Sequence, residues 1–247
     1  EGRSGKTGKN QFMPPGKKEH LKPDEIALIR QWIDAGAPAP LAEKKPAELI
    51  ASLPKVAPKG EPKRAINALA FAAKGGLLAE GLFGKVELLD AATRKPVRTL
   101  AEVAGKVNAL IFSADGAMLF AGAGDAGLNG IVYQWRVSDG ALVRKFEGHT
   151  DAVYALALSP DGKTLASGSY DQKIKLWSPE NGAEMKLLKG HNGGVFGLSF
   201  RKDGKVLASA SGDRTVKLWD VASGRRLDTF SQPLKEQSVV AFAPDGK

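Results

Sequence analysis

A repeat of about 42 residues constrains this chain more than anything else in it, because a unit of that size cannot bury its own apolar faces and must stack on copies of itself. Five segments share one pattern: Ile66–Gly75, Val107–Gly116, Val153–Gly162, Val195–Gly204 and Ser238–Gly246. The last apolar residue before each turn is Phe71, Phe112, Leu158, Phe200 and Phe242, giving steps of 41, 46, 42 and 42 residues. The third unit shows the local grammar most clearly. Val153–Leu158 alternates as a strand with one buried face does. Ser159-Pro160-Asp161-Gly162 is then a hairpin turn, in which Pro fixes φ and Gly accepts a positive one. Leu165–Ser169, Lys173–Trp177 and Met185–Leu188 supply three more strands, with Asn181-Gly182 as the tight turn before the last. Four short antiparallel strands joined by tight turns, repeated, predict an all-β radial array of blades.

Gly148-His149, Gly190-His191 and Trp219-Asp220 recur at fixed places in these units, with Trp177-Ser178 and Trp135-Arg136 as variants. On these residues the chain resembles WD40-repeat β-propellers. In that family a His, a Ser or Thr, an Asp and a Trp of one blade form a hydrogen-bonded tetrad. The resemblance implies one tetrad at His149, Ser167, Asp171 and Trp177 and a second at His191, Ser209, Asp213 and Trp219. The spacing is 22 residues from His to Asp and 6 from Asp to Trp in both sets. A buried carboxylate accepts from an imidazole N–H and from backbone amides, and a buried indole N–H needs a partner. His, Ser and Asp together also suggest a hydrolytic triad. A set that recurs at blade spacing reads instead as scaffold, since a triad is a single constellation.

The expected blades are 65–106, 107–150, 151–192, 193–235 and a partial 236–247. The family usually has seven. The resemblance therefore implies a longer parent, of which four blades and the start of a fifth lie here as an open arc with exposed inter-blade apolar surface. Two blades depart from the tetrad pattern. In the first, Leu89-Asp90 stands at the Trp-Asp place, Gly84 takes the Asp position and no His precedes. The second keeps Asp125 and Trp135, but Ala121 replaces the Ser, Val103 replaces the His, and Asp125–Gly130 includes four extra residues. Apolar packing is expected to be the main force holding both blades, with the insertion projecting as a loop.

The formal charge of +9, from 36 Lys and Arg against 27 Asp and Glu, is spread along the chain. Nucleic-acid binding would gather it into a stripe with interleaved aromatics. No such stripe is present, so a nucleic-acid partner is not expected. No apolar run is long enough for a membrane-spanning helix. The absence of cysteine excludes disulfides, thiolate metal sites and a cysteine nucleophile from this chain. No paired carboxylates, metal-ligand cluster or nucleophile motif marks an enzyme.

Residues 1–64 do not follow the repeat. Pro23, Asp24 and Glu25 suit a helix start. Ile26, Ile29, Trp32 and Ile33 then share one face, and Gly36 with Pro38 stops the helix. One such helix is no domain alone. With Met13-Pro14-Pro15 before it and Leu28, Trp32, Ile33, Gly36, Ala37 and Pro38 in and after it, the segment resembles the C-terminal end of a class I cytochrome c domain. The likeness is to the planctomycete-type domains that precede WD40 repeats. It implies residues 1–37 as the remnant of that domain and Met13 as the haem-iron axial ligand in an intact parent. Covalent haem requires a Cys-x-x-Cys-His segment, so none is held by this chain, and haem c is an expectation for the full-length parent only. An extracytoplasmic, periplasm-like location goes with it. Residues 38–64, with Pro at 38, 40, 46, 54, 58 and 62, read as an extended linker to the array at 65–247.

The expected function is a non-enzymatic scaffold that binds a protein on the propeller face. The family's usual contact places correspond to Asn108, Asp151, Tyr154, Tyr170 and Phe196. The alternative is an electron-transfer protein in which the propeller is a docking module.

Overall fold

The computed structural model describes residues 65–231 and 235–243, together with Ala27, Arg30, Gln31 and Asp34. The chain divides into two units, Glu1–Glu61 and Pro62–Lys247. In the first, the four described residues are helical and exposed. Met13, Pro14, Pro15, His20, the apolar helix face at Ile26, Ile29, Trp32 and Ile33, and the linker at 38–64 lie outside the described residues.

The described part of the second unit holds sixteen strands in four antiparallel meanders. The first sheet comprises β1 (Ala68–Ala72), β2 (Leu77–Gly81), β3 (Val86–Asp90) and β4 (Pro96–Leu100). The second comprises β5 (Lys106–Phe112), β6 (Met118–Asp125), β7 (Asn129–Arg136) and β8 (Leu142–His149). The third comprises β9 (Val153–Leu158), β10 (Leu165–Ser169), β11 (Ile174–Trp177) and β12 (Glu184–Leu188). The fourth comprises β13 (Val195–Phe200), β14 (Val206–Ser211), β15 (Thr215–Asp220) and β16 (Arg226–Ser231). In each sheet the strands pair in chain order. The expected four-strand grammar of the third unit thus corresponds to β9–β12, with the third strand starting one residue later and the fourth one earlier than read.

Successive sheets pack through their first strands, β1 on β5, β5 on β9 and β9 on β13. Burial follows from that. β10 is buried along its whole length, whereas the outermost strand β16 is almost wholly exposed. Three apolar clusters each lie between neighbouring sheets. Leu88 and Leu100 meet Tyr133 and Trp135, Phe120 and Phe146 meet Leu165 and Trp177, and Ile174 and Leu188 meet Leu207 and Trp219. Full burial of one such Leu contributes about 2 kcal/mol.

Glycines set how closely the sheets approach. A Cβ at Gly81, Gly122 or Gly168, each on the second strand of a sheet, would fall 2.7, 2.7 and 2.6 Å from Cγ1 of Val107, Val153 and Val195 on the next. In the fourth sheet Ala210 takes that place, between Ser209 and Ser211. The chain beyond it runs against the same sheet, where the Gln237 N–H donates to Ser211 O at 3.0 Å. A Cβ on Gly197 would meet Val239 Cα at 3.0 Å. At the opposite end of the array, Ile66, Leu69 and Phe71 are exposed along the flank of β1.

The insertion at Asp125–Gly130 does not project as a separate loop. It lengthens the hairpin, for β6 and β7 run to eight residues each and pair as far as Asp125 with Asn129. The four-residue gain is absorbed because Gly124 and Gly130, facing each other in the ladder, let the ribbon pass close to the next sheet. Only the tip stands out, with Leu128 74% exposed.

Candidate functional site

Each tetrad is assembled across a sheet boundary. His149 ends β8 of the second sheet, yet its ring reaches into the third. Its Nδ1 lies 2.9 Å from Asp171 Oδ2, and its Nε2 lies 2.8 Å from Ser167 Oγ. The Trp177 indole N–H donates to the same Ser167 oxygen at 2.8 Å. His191 repeats the arrangement at 2.8 Å to Asp213 and 2.7 Å to Ser209, with Trp219 donating to Ser209 at 2.8 Å. An ionised carboxylate only accepts, so Nδ1 carries the proton. The neutral ring then takes the Ser hydroxyl hydrogen at Nε2, which leaves a lone pair on Ser for the indole. Gly148 and Gly190, at φ 129° and 147°, turn the chain so that each ring points inward.

The carboxylates also fasten the turns around them. Asp171 accepts the Thr150 N–H at 3.1 Å and the Lys173 N–H at 2.9 Å. Asp213 accepts the Asn192 N–H at 2.9 Å, the Thr215 N–H at 3.0 Å and the Thr215 hydroxyl at 2.7 Å. Burial pushes both carboxyls up, but these donors and the histidine beside each outweigh it and hold them below the usual carboxylate range. The connectivity Asp–His–Ser is that of a hydrolytic triad. Ser167 and Ser209, however, have no exposed surface and give their oxygens to a Trp. A nucleophile must reach its substrate, and neither does.

Sequence reading did not single out Ser169 and Ser211. Both are fully buried; they bond Asp151 O and Gly193 O at 2.7 and 2.9 Å and accept the N–H groups of Asp171 and Asp213. The recurring Ser-x-Ser pairs, 167/169 and 209/211, are the signal that marks them.

Tyr133 was missed for a different reason. It faces Ala121 across β6–β7, the register place held by Lys175 and Lys217 opposite Ser167 and Ser209. It stacks on Trp135 at 5.4 Å, and its hydroxyl accepts the Ala104 N–H at 2.9 Å. It thereby anchors the turn beside Val103 that a tetrad Asp would otherwise hold. Apolar packing around Leu119, Ala121 and Trp135 thus has this one hydrogen bond added to it. Asp125 sits against Gly105 instead, whose added Cβ would meet its carboxyl at 2.7 Å. In the first sheet, Glu87 pairs with Lys85 at 2.6 Å, and the N–H of Gly84 donates to Gly105 O at 2.9 Å.

Of the five expected contact residues, three come together as rings. Tyr154, Tyr170 and Phe196 have centroid separations of 5.5 to 6.1 Å, with Tyr154 edge-on to Phe196. Tyr154 and Phe196 are the second residues of β9 and β13, and Tyr170 lies in the turn that carries Asp171. Gly194 and Gly212 make room for them, since a Cβ at either would press on Phe196 at 3.1 to 3.2 Å. Tyr170 is 51% exposed, and the other two rings are half-buried. Asn108 and Asp151 serve the sheet junctions instead. Asn108 Nδ2 donates to Val153 O at 3.2 Å, and Asp151 accepts the Gly127 N–H at 2.8 Å, tying the long hairpin to the third sheet. No group of three His, Cys, Asp or Glu residues able to hold a metal occurs among the described residues, and no described helix is long and apolar enough to cross a membrane.

Residues 94–136, 140–178 and 182–220 match the family model for the WD domain, G-beta repeat. Each match starts near the last strand of one sheet and ends with the third strand of the next, so the sequence repeat itself spans a sheet boundary, as the histidines do. The chain is 40% identical over 68 residues to the Danio rerio intraflagellar transport protein 122 homolog, covering 28% of this chain and 5% of that one. It is 34% identical over 71 residues to THO complex subunit 6 of Drosophila melanogaster, covering 29% and 19%. With guanine nucleotide-binding protein subunit beta-5b of Danio rerio it shares 38% over 66 residues, covering 27% and 16%. The matched stretch is thus a small part of each relative. The three segments that match the family model take in all the residues of both tetrads.

Proposed function

We propose that this chain is a protein–protein interaction scaffold, without catalytic activity, that receives its partner on the aromatic cluster of Tyr154, Tyr170 and Phe196. The observation that carries the reading is the meeting of three rings, with Tyr170 exposed, beside tetrad and rim residues that are themselves committed to hydrogen bonds. The tetrad residues are sealed in hydrogen bonds, and Asn108 and Asp151 hold the inner rim on which the rings stand. Tyr and Phe give large contact area with few rotatable bonds, which is what a contact hot spot needs. The match to the family model supports the class of function and names no partner for this chain.

The test is site-specific photo-cross-linking in the source cells, with benzoylphenylalanine at Tyr170 and, as a control, at Leu128, which is 74% exposed at the hairpin tip. A discrete protein adduct is expected from position 170 alone, and replacing Phe196 by Ala should reduce it at least tenfold. Equal adducts from both positions, or indifference to Phe196→Ala, would count against the reading.

A second reading, of an extracytoplasmic electron-transfer parent with haem c and the propeller as its docking module, rests on the Met13-Pro14-Pro15 resemblance and on the helical conformation at Ala27, Arg30, Gln31 and Asp34. The residues of this chain do not themselves fit a covalently held haem. It has no cysteine, and both described histidines are committed to tetrads. The reading therefore depends on a Cys-x-x-Cys-His segment in a longer protein. A haem spectrum of that protein supports it, and a haem-free one removes it.

A further inference from the structure

The two sheets that carry full tetrads differ in charge at one place. In the third, Lys175 Nζ pairs with Glu184 Oε2 at 2.5 Å and lies 5.3 Å from the centre of the Trp177 ring. Glu184 faces Trp177 across β11–β12. In the fourth sheet the residue facing Trp219 across β15–β16 is Arg226, and Lys217 holds the place of Lys175. The residue before the Gly-His pair changes as well, from Glu147 to Lys189. The acid beside the buried lysine of the third sheet has thus become a cation at the matching place in the fourth.

Lys217 is only 5% exposed, and no described carboxylate pairs with it or with Arg226. Its Nζ is nevertheless not among the sealed, unpartnered atoms, so the ammonium keeps an opening to solvent. The local geometry shows the crowding. A Cβ at Gly148 would meet Lys175 Nζ at 3.0 Å, whereas one at Gly190 would meet Trp219 Cη2 at 3.3 Å and Arg226 Nη1 at 4.0 Å. The guanidinium has taken the ammonium's position over the glycine. His191 is held below the ordinary histidine range by burial first, and Lys217 and Arg226 both add to that. The nearby acids are otherwise engaged: Asp213 with His191 and Thr215, Asp220 with Ser223, and Asp228 with the Thr229 N–H.

We propose that Lys217 and Arg226 form an oxyanion site at the outer edge of the fourth sheet, which binds a phosphate monoester group. The charge balance selects phosphate over carboxylate. Two adjacent cations are neutralised by a group carrying about −1.5 to −2 at neutral pH, and only half neutralised by a carboxylate. Arg226 supplies the planar fork suited to phosphate oxygens, and Lys217 supplies a point charge from a position of low water access. The site is separate from the aromatic cluster and does not depend on it.

The experiment is a titration of the full chain with inorganic phosphate at constant ionic strength, following the Arg226 Nε–H and Trp219 indole N–H signals by NMR. Acetate and chloride serve as parallel arms. Saturable shifts at both signals are expected with phosphate, at least tenfold weaker with acetate and absent with chloride. Arg226→Glu, which restores the pairing seen in the third sheet, should abolish the response while the Trp177 signal stays in place. Glu184→Arg should create a second responsive site at Trp177. Equal response to acetate, a chloride response of the same size, or an unchanged titration in Arg226→Glu would each overturn the proposal.

Discussion

At the scale of single residues, the structure turns on two buried serine oxygens. Each joins a Trp indole to a His ring, so removing one leaves two buried polar groups unpaired rather than one. Ser209→Ala should therefore destabilise the protein by about 3 kcal/mol, read from urea unfolding. A change below about 0.5 kcal/mol would mean that the network contributes nothing. The pH dependence follows from the same groups. The His191 ring, kept neutral by burial and by two neighbouring cations, takes up a proton less readily folded than unfolded. Stability should decline as pH falls below about 6.5, until the folded ring also titrates. Asp171 and Asp213 are held low, so their contribution is intact above about pH 4 and lost as pH falls further. Urea midpoints measured from pH 8 to 3 should fall in two stages, and His191→Asn should flatten the first.

At the scale of elements, the recurring Gly–Val contact sets the distance between sheets. Gly122→Ala places a methyl 2.7 Å from Val153 Cγ1 and 3.4 Å from Leu156 Cγ, and Val153 is itself fully buried. A loss of about 2 kcal/mol is expected in thermal or urea unfolding, and a neutral result would show that the junction can spread. The strands themselves were legible in the sequence because period-two alternation and Pro-Asp-Gly turns are local signals. Val153–Leu158 and Leu165–Ser169 appear as read. The tetrad residues were legible because four residue types recur at one spacing. What stayed hidden depends on register between strands. The extra residues after Asp125 extend the ladder instead of leaving it, which is visible only once Gly124 is seen opposite Gly130. Tyr133 takes, from the neighbouring strand, the Ala104 N–H that a tetrad Asp accepts in the other sheets, at a position no spacing rule reaches.

At the scale of the whole array, neighbouring sheets are joined at both ends and in the middle. Tetrad histidines cross at one end and Gly–Val contacts lie along the strands. At the outer turns the Arg98 guanidinium bonds Asp139 O, and Arg144 Nη2 donates to Glu180 O at 2.5 Å. Lys186 continues that series beside Gly224. Cations spaced 46 and 42 residues apart carry no visible pattern until the outer strand of one sheet is seen beside the last hairpin of the next. At two of the three boundaries the junction is a buried tetrad, whose hydrogen bonds hold the neighbouring sheets together. The most direct test of that central claim is hydrogen exchange at the Trp indoles. The Trp177 and Trp219 N–H groups, bonded to buried serines at a sheet boundary, should exchange only through opening of the array, far more slowly than Trp135, whose indole has no such serine. Exchange of all three at one common rate would contradict the account, because the tetrads would then not hold the sheets together.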